Sequence, residues 1–216
     1  MPAPTAQELA DLAKSALQSA GLKGAHAPAL GDAIGDTCGA ALQLFLGMAM
    51  VAPGVPGSAP PPPGAGSTGG PGQLLPPPVG GPTAAQIEPL AHNFLAARGI
   101  RGQNAPDLAK VLAGAVAQGI QLFTAQVMVG PGIAITGLVT SAPGLLTGSA
   151  PPPAAIEGVT AGLCTGNKLQ GAHAPDLAKA LGKTVADALT QLMQKAKVLP
   201  GIPASPGGTV GPGRLI

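Results

Sequence analysis

Few side chains in this sequence could carry chemistry, and their spacing forms no familiar motif. The 216 residues include 2 cysteines, 3 histidines and 9 acidic residues. Cys38 and Cys164 show none of the Cys-x-x-Cys or Cys/His spacings that bind zinc. His26 and His173 each precede an Ala-Pro pair, where a side chain at the start of a helix would act as a cap. The sequence therefore predicts no metal site and no cofactor.

Patterns typical of catalysis are also missing from the sequence. The acidic residues are scattered and form no convincing pair for acid–base chemistry. The Gly-rich stretches lack the Gly-x-x-x-x-Gly-Lys pattern of a phosphate-binding loop, and no Gly-x-Ser-x-Gly elbow occurs. We therefore expect a protein that has no catalytic residues, is not an enzyme and takes no small-molecule substrate.

A short segment recurs three times and organises the rest of the chain. Its sequences are GAHAPAL, GQNAPDL and GAHAPDL, at residues 24–30, 102–108 and 171–177. A second landmark, Val-x-Pro-Gly followed by Val or Ile, keeps the same offsets of 78 and 69 residues, at 51–55, 129–133 and 198–202. Two landmarks in constant register predict three copies of one unit.

Each unit is predicted to be a helical hairpin followed by a short extended segment. First helices are expected at residues 5–20, 83–97 and 154–165. Second helices should begin near a proline, whose missing N–H has no partner in the first turn, and end at the Pro-Gly pair. Their apolar residues recur at steps of four and three, which is one face of an α-helix. The packing or interface residues predicted on this stripe are Leu30, Ile34, Leu42, Phe45, Leu108, Leu112, Ile120, Phe123, Leu177, Leu181, Leu189 and Leu192.

The predicted fold class is mainly α with short extended or β segments, as three tandem helical-hairpin repeats joined by Pro/Gly-rich linkers. The 34 glycines and 26 prolines cluster between the periodic stretches, as they do in linkers. The predicted division is repeat 1 at 1–57, a linker at 58–82, repeat 2 at 83–142, a linker at 143–153, and repeat 3 with an extended C-terminal tail at 154–216. The extended segments could offer strand edges to a partner.

The repeat gives the chemistry-bearing residues structural roles. Cys38 stands where both other copies have valine, so we expect a buried thiol and no disulfide with Cys164. His26 and His173 correspond to Asn104. Three such residues around an axis could surround a metal ion, but asparagine is a poor ligand for transition metals, and a capping role is favoured.

Composition indicates a protein that works by contact with other proteins. Only 9% of residues are charged, so wide neutral or apolar surface should remain, which often marks contact sites. The net charge of +2 and the absence of Trp and Tyr argue against nucleic-acid binding. We expect an isolated chain to be sticky or partly disordered, with its order depending on partners.

Two further expectations concern membranes. The N-terminus has no basic region followed by an apolar run, so no signal peptide is predicted. Residues 111–156 contain no charge, and 111–129 is nearly long enough to span a bilayer. The corresponding helix of the third copy carries several lysines, and an aromatic belt is missing, so a membrane role is the alternative rather than the first choice.

The segments 198–203 and 208–216, echoed at 129–136, resemble a loose group of Ala/Gly/Pro-rich proteins from phage tails and contractile injection particles. A Pro-Ala-Ala-Arg spike-tip motif is echoed at 153–155, with Ile156 in place of Arg. The resemblance implies a structural component of a virion or phage-tail-like particle, assembled in the cytoplasm, whose partners are other structural proteins of a large symmetric assembly. A hydrolase-like effector is the least favoured function.

Overall fold

The computed structural model describes residues 3–58 and 64–216. These residues form six helices, alternately 14 and 22 residues long: α1 Ala6–Ser19, α2 Ala27–Met48, α3 Ala84–Ala97, α4 Ala105–Gln126, α5 Pro153–Gly166 and α6 Ala174–Lys195. The first helices agree with the predicted bounds to within one residue. Pro28 lies in the first turn of α2, and the corresponding prolines open α4 and α6.

The helices form one packed layer. Each short helix packs against the long helix that follows it, α1 on α2, α3 on α4 and α5 on α6. Each short helix also contacts a second long helix: α3 contacts α2, α5 contacts α4, and α1 contacts α6. The three long helices meet one another as well. A single apolar core therefore runs through all six helices and closes between the two ends of the sequence.

Twelve short strands complete the described structure: β1 Met50–Val51, β2 Gly57–Ser58, β3 Ala65–Thr68, β4 Gly72–Gln73, β5 Val127–Val129, β6 Ala134–Thr136, β7 Val139–Thr140, β8 Gly144–Gly148, β9 Lys197–Val198, β10 Ala204–Ser205, β11 Gly208–Thr209 and β12 Gly213–Arg214. All pair antiparallel. The structure is thus mainly helical with short antiparallel strands, which confirms the predicted fold class at this level.

The strands are arranged as two closed rings. The inner ring follows the long helices and consists of β1, β4, β5, β8, β9 and β12, with the bridges Val51↔Leu74 and Val198↔Leu215 completing it. The outer ring consists of β2, β3, β6, β7, β10 and β11, joined by the bridges Val139↔Pro203 and Pro56↔Gly208. Closure leaves each described strand paired within the chain, because a closed sheet has no free edge.

Three sequence predictions need correction here. The long helices end before the Pro-Gly pairs, because Val51, Val129 and Val198 are buried in strand pairing instead. The extended segments do not offer free edges, since they pair with one another. The segments predicted as linkers contain β3, β4 and β8. Four consecutive prolines at 60–63, within the first predicted linker and predicted to favour a polyproline II helix, lie outside the described residues.

One argument for the predicted need for partners, that the apolar stripes of the long helices would be uncovered, does not hold in the structure. Nine of the twelve predicted packing residues are at most 2% exposed and lie in the shared helical core: Ile34, Leu42, Phe45, Leu112, Ile120, Phe123, Leu181, Leu189 and Leu192. Phe45 and Phe123 meet edge to face, with ring centroids 6.0 Å apart. The apolar stripes are therefore covered by the chain itself.

Candidate docking site

The remaining three predicted residues, Leu30, Leu108 and Leu177, are half-buried near the start of the long helices. They line two adjoining cavities of about 670 and 710 Å³ at the end of the molecule formed by the hairpin turns. We call this region the turn-end depression. Each of the three connections between a short helix and the next long helix contributes an apolar residue to it, Leu22, Ile100 and Leu169, and Leu22 and Leu30 line both cavities.

The turns that surround the turn-end depression share one backbone design. Leu22 N–H donates to Leu17 O at 2.9 Å, and Gly21 N–H donates to Gln18 O at 3.1 Å. This pair of bonds is a Schellman motif, which ends a helix through a left-handed residue and brings an apolar residue back towards it. The same two bonds, at 2.9 and 3.2 Å, occur at both other turns, where the apolar residues are Ile100 and Leu169.

The residue with the left-handed backbone conformation is not of the same type in all three turns. Gly21 and Gly99 have φ of 88° and 78°, which glycine adopts without steric cost. The corresponding residue of the third turn is Lys168, with φ of 60°. A side chain in this region is strained by about 1–2 kcal/mol. Such a residue persists where the surrounding structure holds it in place, often at a functional site.

The rim of the turn-end depression is basic. Each turn carries an exposed cation without an acidic partner, Lys23, Arg101 or Lys168, and no acidic residue; the second turn also carries Arg98, which pairs with Asp32 and Asp36 of α2. In the described part of the chain, none of the ion pairs between a carboxylate and a cation involves Lys23, Arg101 or Lys168. Arg101 Nε instead donates to Ala96 O at 3.1 Å. The depression thus combines an aliphatic floor with an uncompensated positive edge.

The histidines lie on the same rim, where their predicted capping role is wrong in detail. His26, Asn104 and His173 occupy the N-cap positions of the long helices, but none makes a side-chain capping bond. His173 Nδ1 instead lies 3.1 Å from Oδ2 of Asp176, which is in the first turn of α6. Among residues 3–58 and 64–216, no group of three or more potential metal ligands comes together.

Both cysteines are buried and free. Burial raises the pKa of the Cys38 thiol to about 12 and also raises the pKa of Cys164. Such thiols are poor nucleophiles, because the thiolate is the reactive form. They act as small apolar core side chains, as predicted from the aliphatic residues at the corresponding positions: Val116 and Val185 for Cys38, and Leu17 and Leu95 for Cys164.

The opposite end of the molecule has a different surface. Every charged residue of the sequence lies on a helix or a hairpin turn, except Lys197 and Arg214 of the inner ring. The outer ring is uncharged and exposes Leu138, Val139 and Val210. A smaller cavity at this end, of about 200 Å³, is lined by Leu199, Ile202 and Arg214 together with prolines and glycines of the third extended segment.

One helix in the described chain, α4, is long and apolar enough to cross a membrane by length and composition alone. About 61% of its most apolar window is buried inside the structure. Its apolar character is thus largely used in packing against α2, α3, α5 and α6.

Comparisons with known proteins give no assignment. No protein-family model, no curated protein and no solved structure matches this chain. Sequence reasoning missed Leu22, Ile100 and Leu169 as lining residues, although they occupy one offset position in the three turns. It also missed Lys168, whose signal is a lysine where both other turns have glycine.

Proposed function

We propose that the chain consists of three tandem helical-hairpin repeats joined by Pro/Gly-rich segments, and that together they imitate a homotrimer. The helix bounds support this, because α1, α3 and α5 begin 78 and 69 residues apart, as do α2, α4 and α6. These are the offsets of the sequence landmarks. The contacts α1–α6, α3–α2 and α5–α4 then describe one interface used three times.

The strongest support for this proposal comes from hydrogen bonds in the outer ring. Thr209 Oγ1 accepts from Val55 N–H at 3.0 Å, Thr68 Oγ1 from Ile133 N–H at 3.0 Å, and Thr140 Oγ1 from Ile202 N–H at 2.9 Å. The three threonines are at most 4% exposed. Each bond joins one unit to the next, and the bond from Thr209 joins the third unit to the first. A pattern that closes on itself in three equal steps is that of a three-fold ring.

From this arrangement we propose a non-enzymatic structural or assembly component of a virion or phage-tail-like particle. A pseudo-three-fold chain can cap or bridge symmetric partners at a three-fold axis with one copy instead of three. The resemblance of segments 198–203 and 208–216 to proteins of phage tails and contractile injection particles supports this proposal. Its partners would be structural proteins of the assembly, and its place would be the particle.

The test is copurification with a large particle. We expect the chain to sediment with particles from cells that produce it, at one copy per three-fold or six-fold axis, and to appear on that axis in a low-resolution image. A chain that remains in the soluble fraction while particles sediment without it would contradict the proposal.

The membrane-associated alternative depends on α4 alone. Because most of the apolar window of α4 is buried in the helical layer, insertion would require the layer to open. Flotation with liposomes tests it: the alternative expects the folded chain to float, whereas the particle proposal expects it to stay at the bottom of the gradient.

A further inference from the structure

We propose that the turn-end depression is the face that docks on the particle, and that its partner is the end of a homotrimer with an apolar tip and an acidic edge. This inference rests on the proposed function, since it names the surface and the partner of the same three-fold docking. It concerns which end of the molecule is used and what chemistry it recognises.

The aliphatic floor favours a three-fold partner. Each hairpin offers the same pair of half-buried residues, Leu22 with Leu30, Ile100 with Leu108, and Leu169 with Leu177. A ligand that covers all three pairs with equivalent contacts must itself present three equivalent groups. The floor is recessed behind an exposed rim, so it fits a projecting tip better than a flat bilayer.

The rim favours an acidic partner. Lys23 and Arg101 occupy the same place in their turns, whereas the third turn has Gln170 there and carries its cation at Lys168. Apart from Arg98, which pairs with Asp32 and Asp36, each turn thus has one cation, although in the third turn a different position supplies it. A second copy of the chain docked face to face would bring like charges together, which is unfavourable. An edge of carboxylates would be complementary.

The strained backbone of Lys168 allows a role of this residue in docking to be distinguished from a role in folding. If this lysine served only the fold, glycine would be the better residue, as at Gly21 and Gly99. Lys168→Gly should therefore raise the melting temperature by a few degrees, since left-handed strain is removed. The same substitution removes one rim cation and should weaken docking about two- to five-fold.

The first experiment is competition for the particle. Wild-type and Lys168→Gly chains, distinguished by mass, are produced in the same cells, and their ratio in purified particles is compared with their ratio in the soluble fraction. We expect depletion of the variant from particles by about two- to five-fold, although it is the more stable protein. The control is Lys179→Gln, which removes an exposed cation from α6, leaves the rim intact and should enter particles as wild type does. A change to glycine within α6, such as Lys183→Gly, would not serve as a control because it weakens the helix. Equal incorporation of Lys168→Gly would overturn the charge argument.

The second experiment identifies the partner surface. A photo-crosslinking amino acid is placed singly at three corresponding exposed turn positions, Ala25, Gln103 and Ala172, and at Leu138 of the outer ring as the opposite end. We expect the three turn positions to crosslink to one and the same acidic peptide of a single polypeptide. Three different peptides, crosslinks to lipid, or crosslinks from Leu138 alone would overturn the inference while the chain still copurifies with particles. Absence of the wild-type chain from particles would instead contradict the proposed function itself.

Discussion

The helical layer and the strand rings close in the same way but are held together by different forces. In the helical layer, α1 meets α6 through buried aliphatic side chains and an exposed ion pair. In the rings, β1 meets β12 and Val55 meets Thr209 through backbone and hydroxyl hydrogen bonds. Apolar burial is non-directional and tolerates small shifts, whereas hydrogen bonds require a donor and an acceptor in place. The two layers should therefore fail under different substitutions.

The largest effect is expected in the helical core. Phe45 is fully buried, so Phe45→Asp would place a carboxylate in an apolar site, which costs on the order of several kcal/mol or forces protonation. We expect loss of the cooperative thermal transition. Leu44→Asp is the matched control, because Leu44 is the neighbouring residue and is 40% exposed; it should shift the melting temperature little. Similar losses in both variants would contradict the assigned core.

Removal of Gly213–Ile216 should open the inner ring and leave the helices folded. Lys197 N–H donates to Ile216 O at 2.9 Å, and Leu199 N–H donates to Arg214 O at 2.8 Å. Hydrogen exchange should accelerate at these two amides, while amides in the middle of α2, α4 and α6 remain protected. Arg214→Ala keeps the backbone bonds and should behave as wild type. If helix protection collapsed as well, the two layers would be one cooperative unit.

Thr140→Val tests the hydroxyl bonds of the outer ring. The substitution conserves shape but leaves the buried Ile202 N–H without its acceptor, which costs about 1–3 kcal/mol. We expect a lower melting temperature and faster exchange at Ile202. Thr147→Val on exposed β8 is the control and should have little effect. Thr68→Val and Thr209→Val should match Thr140→Val if the three positions are equivalent.

A smaller effect is expected for Cys38→Val, since α4 and α6 have Val116 and Val185 at the corresponding positions. The free energy of unfolding should change by less than about 1.5 kcal/mol near neutral pH. Burial raises the pKa of Cys38 from 9.0 to about 12, so the wild-type contribution is complete below pH 9 and is lost as pH rises further. The variant should lack this alkaline loss. Denaturant unfolding of both proteins at pH 7 and pH 10 measures the difference.

The smallest effect concerns the exposed link between α1 and α6. The Thr5 backbone N–H and the Lys195 ammonium lower the pKa of Glu8 below its usual 4.5. A lowered pKa stabilises the fold above pH 4.5, and this contribution is lost as pH falls through the lowered value. Glu8→Gln keeps an acceptor for the helix cap and should show a shallower decrease in melting temperature below pH 4.5. An unchanged pH profile would show that the link does not affect stability.

The helices were predictable because their signals are local. Apolar steps of four and three and a proline in the first turn are read within one segment, and they placed α1, α3 and α5 and the starts of α2, α4 and α6 closely. Short extended segments were predicted as well, but the pairing of the strands was not, because two-residue strands such as β1 and β9 have no periodicity of their own. Their pairing depends on partners such as Gly213 and Gly144, far along the chain. Pro and Gly around Gly144 indicated a linker, and Gly213 was assigned to an extended C-terminal tail.

The candidate site was predictable only in part. The stripe identified Leu30, Leu108 and Leu177, but periodicity cannot tell a residue at the open end of a helical layer from one in its middle. The positive φ of Lys168 is a property of the backbone, and comparison of the three turn sequences would have indicated it only through the two glycines at the corresponding positions.

Ring closure also has a consequence for synthesis. Val51 pairs with Gly213, so 162 residues must be added to the growing chain before the first strand meets this partner. At about 5–20 residues per second, this takes roughly 10–30 s. During that interval the first hairpin has neither α6 nor β12 against it, and its apolar face and strand edge are open to other nascent chains. In the proposed three-unit organisation, fusion into one polypeptide would fix the number and order of the units, but the first unit would wait longest for its neighbour.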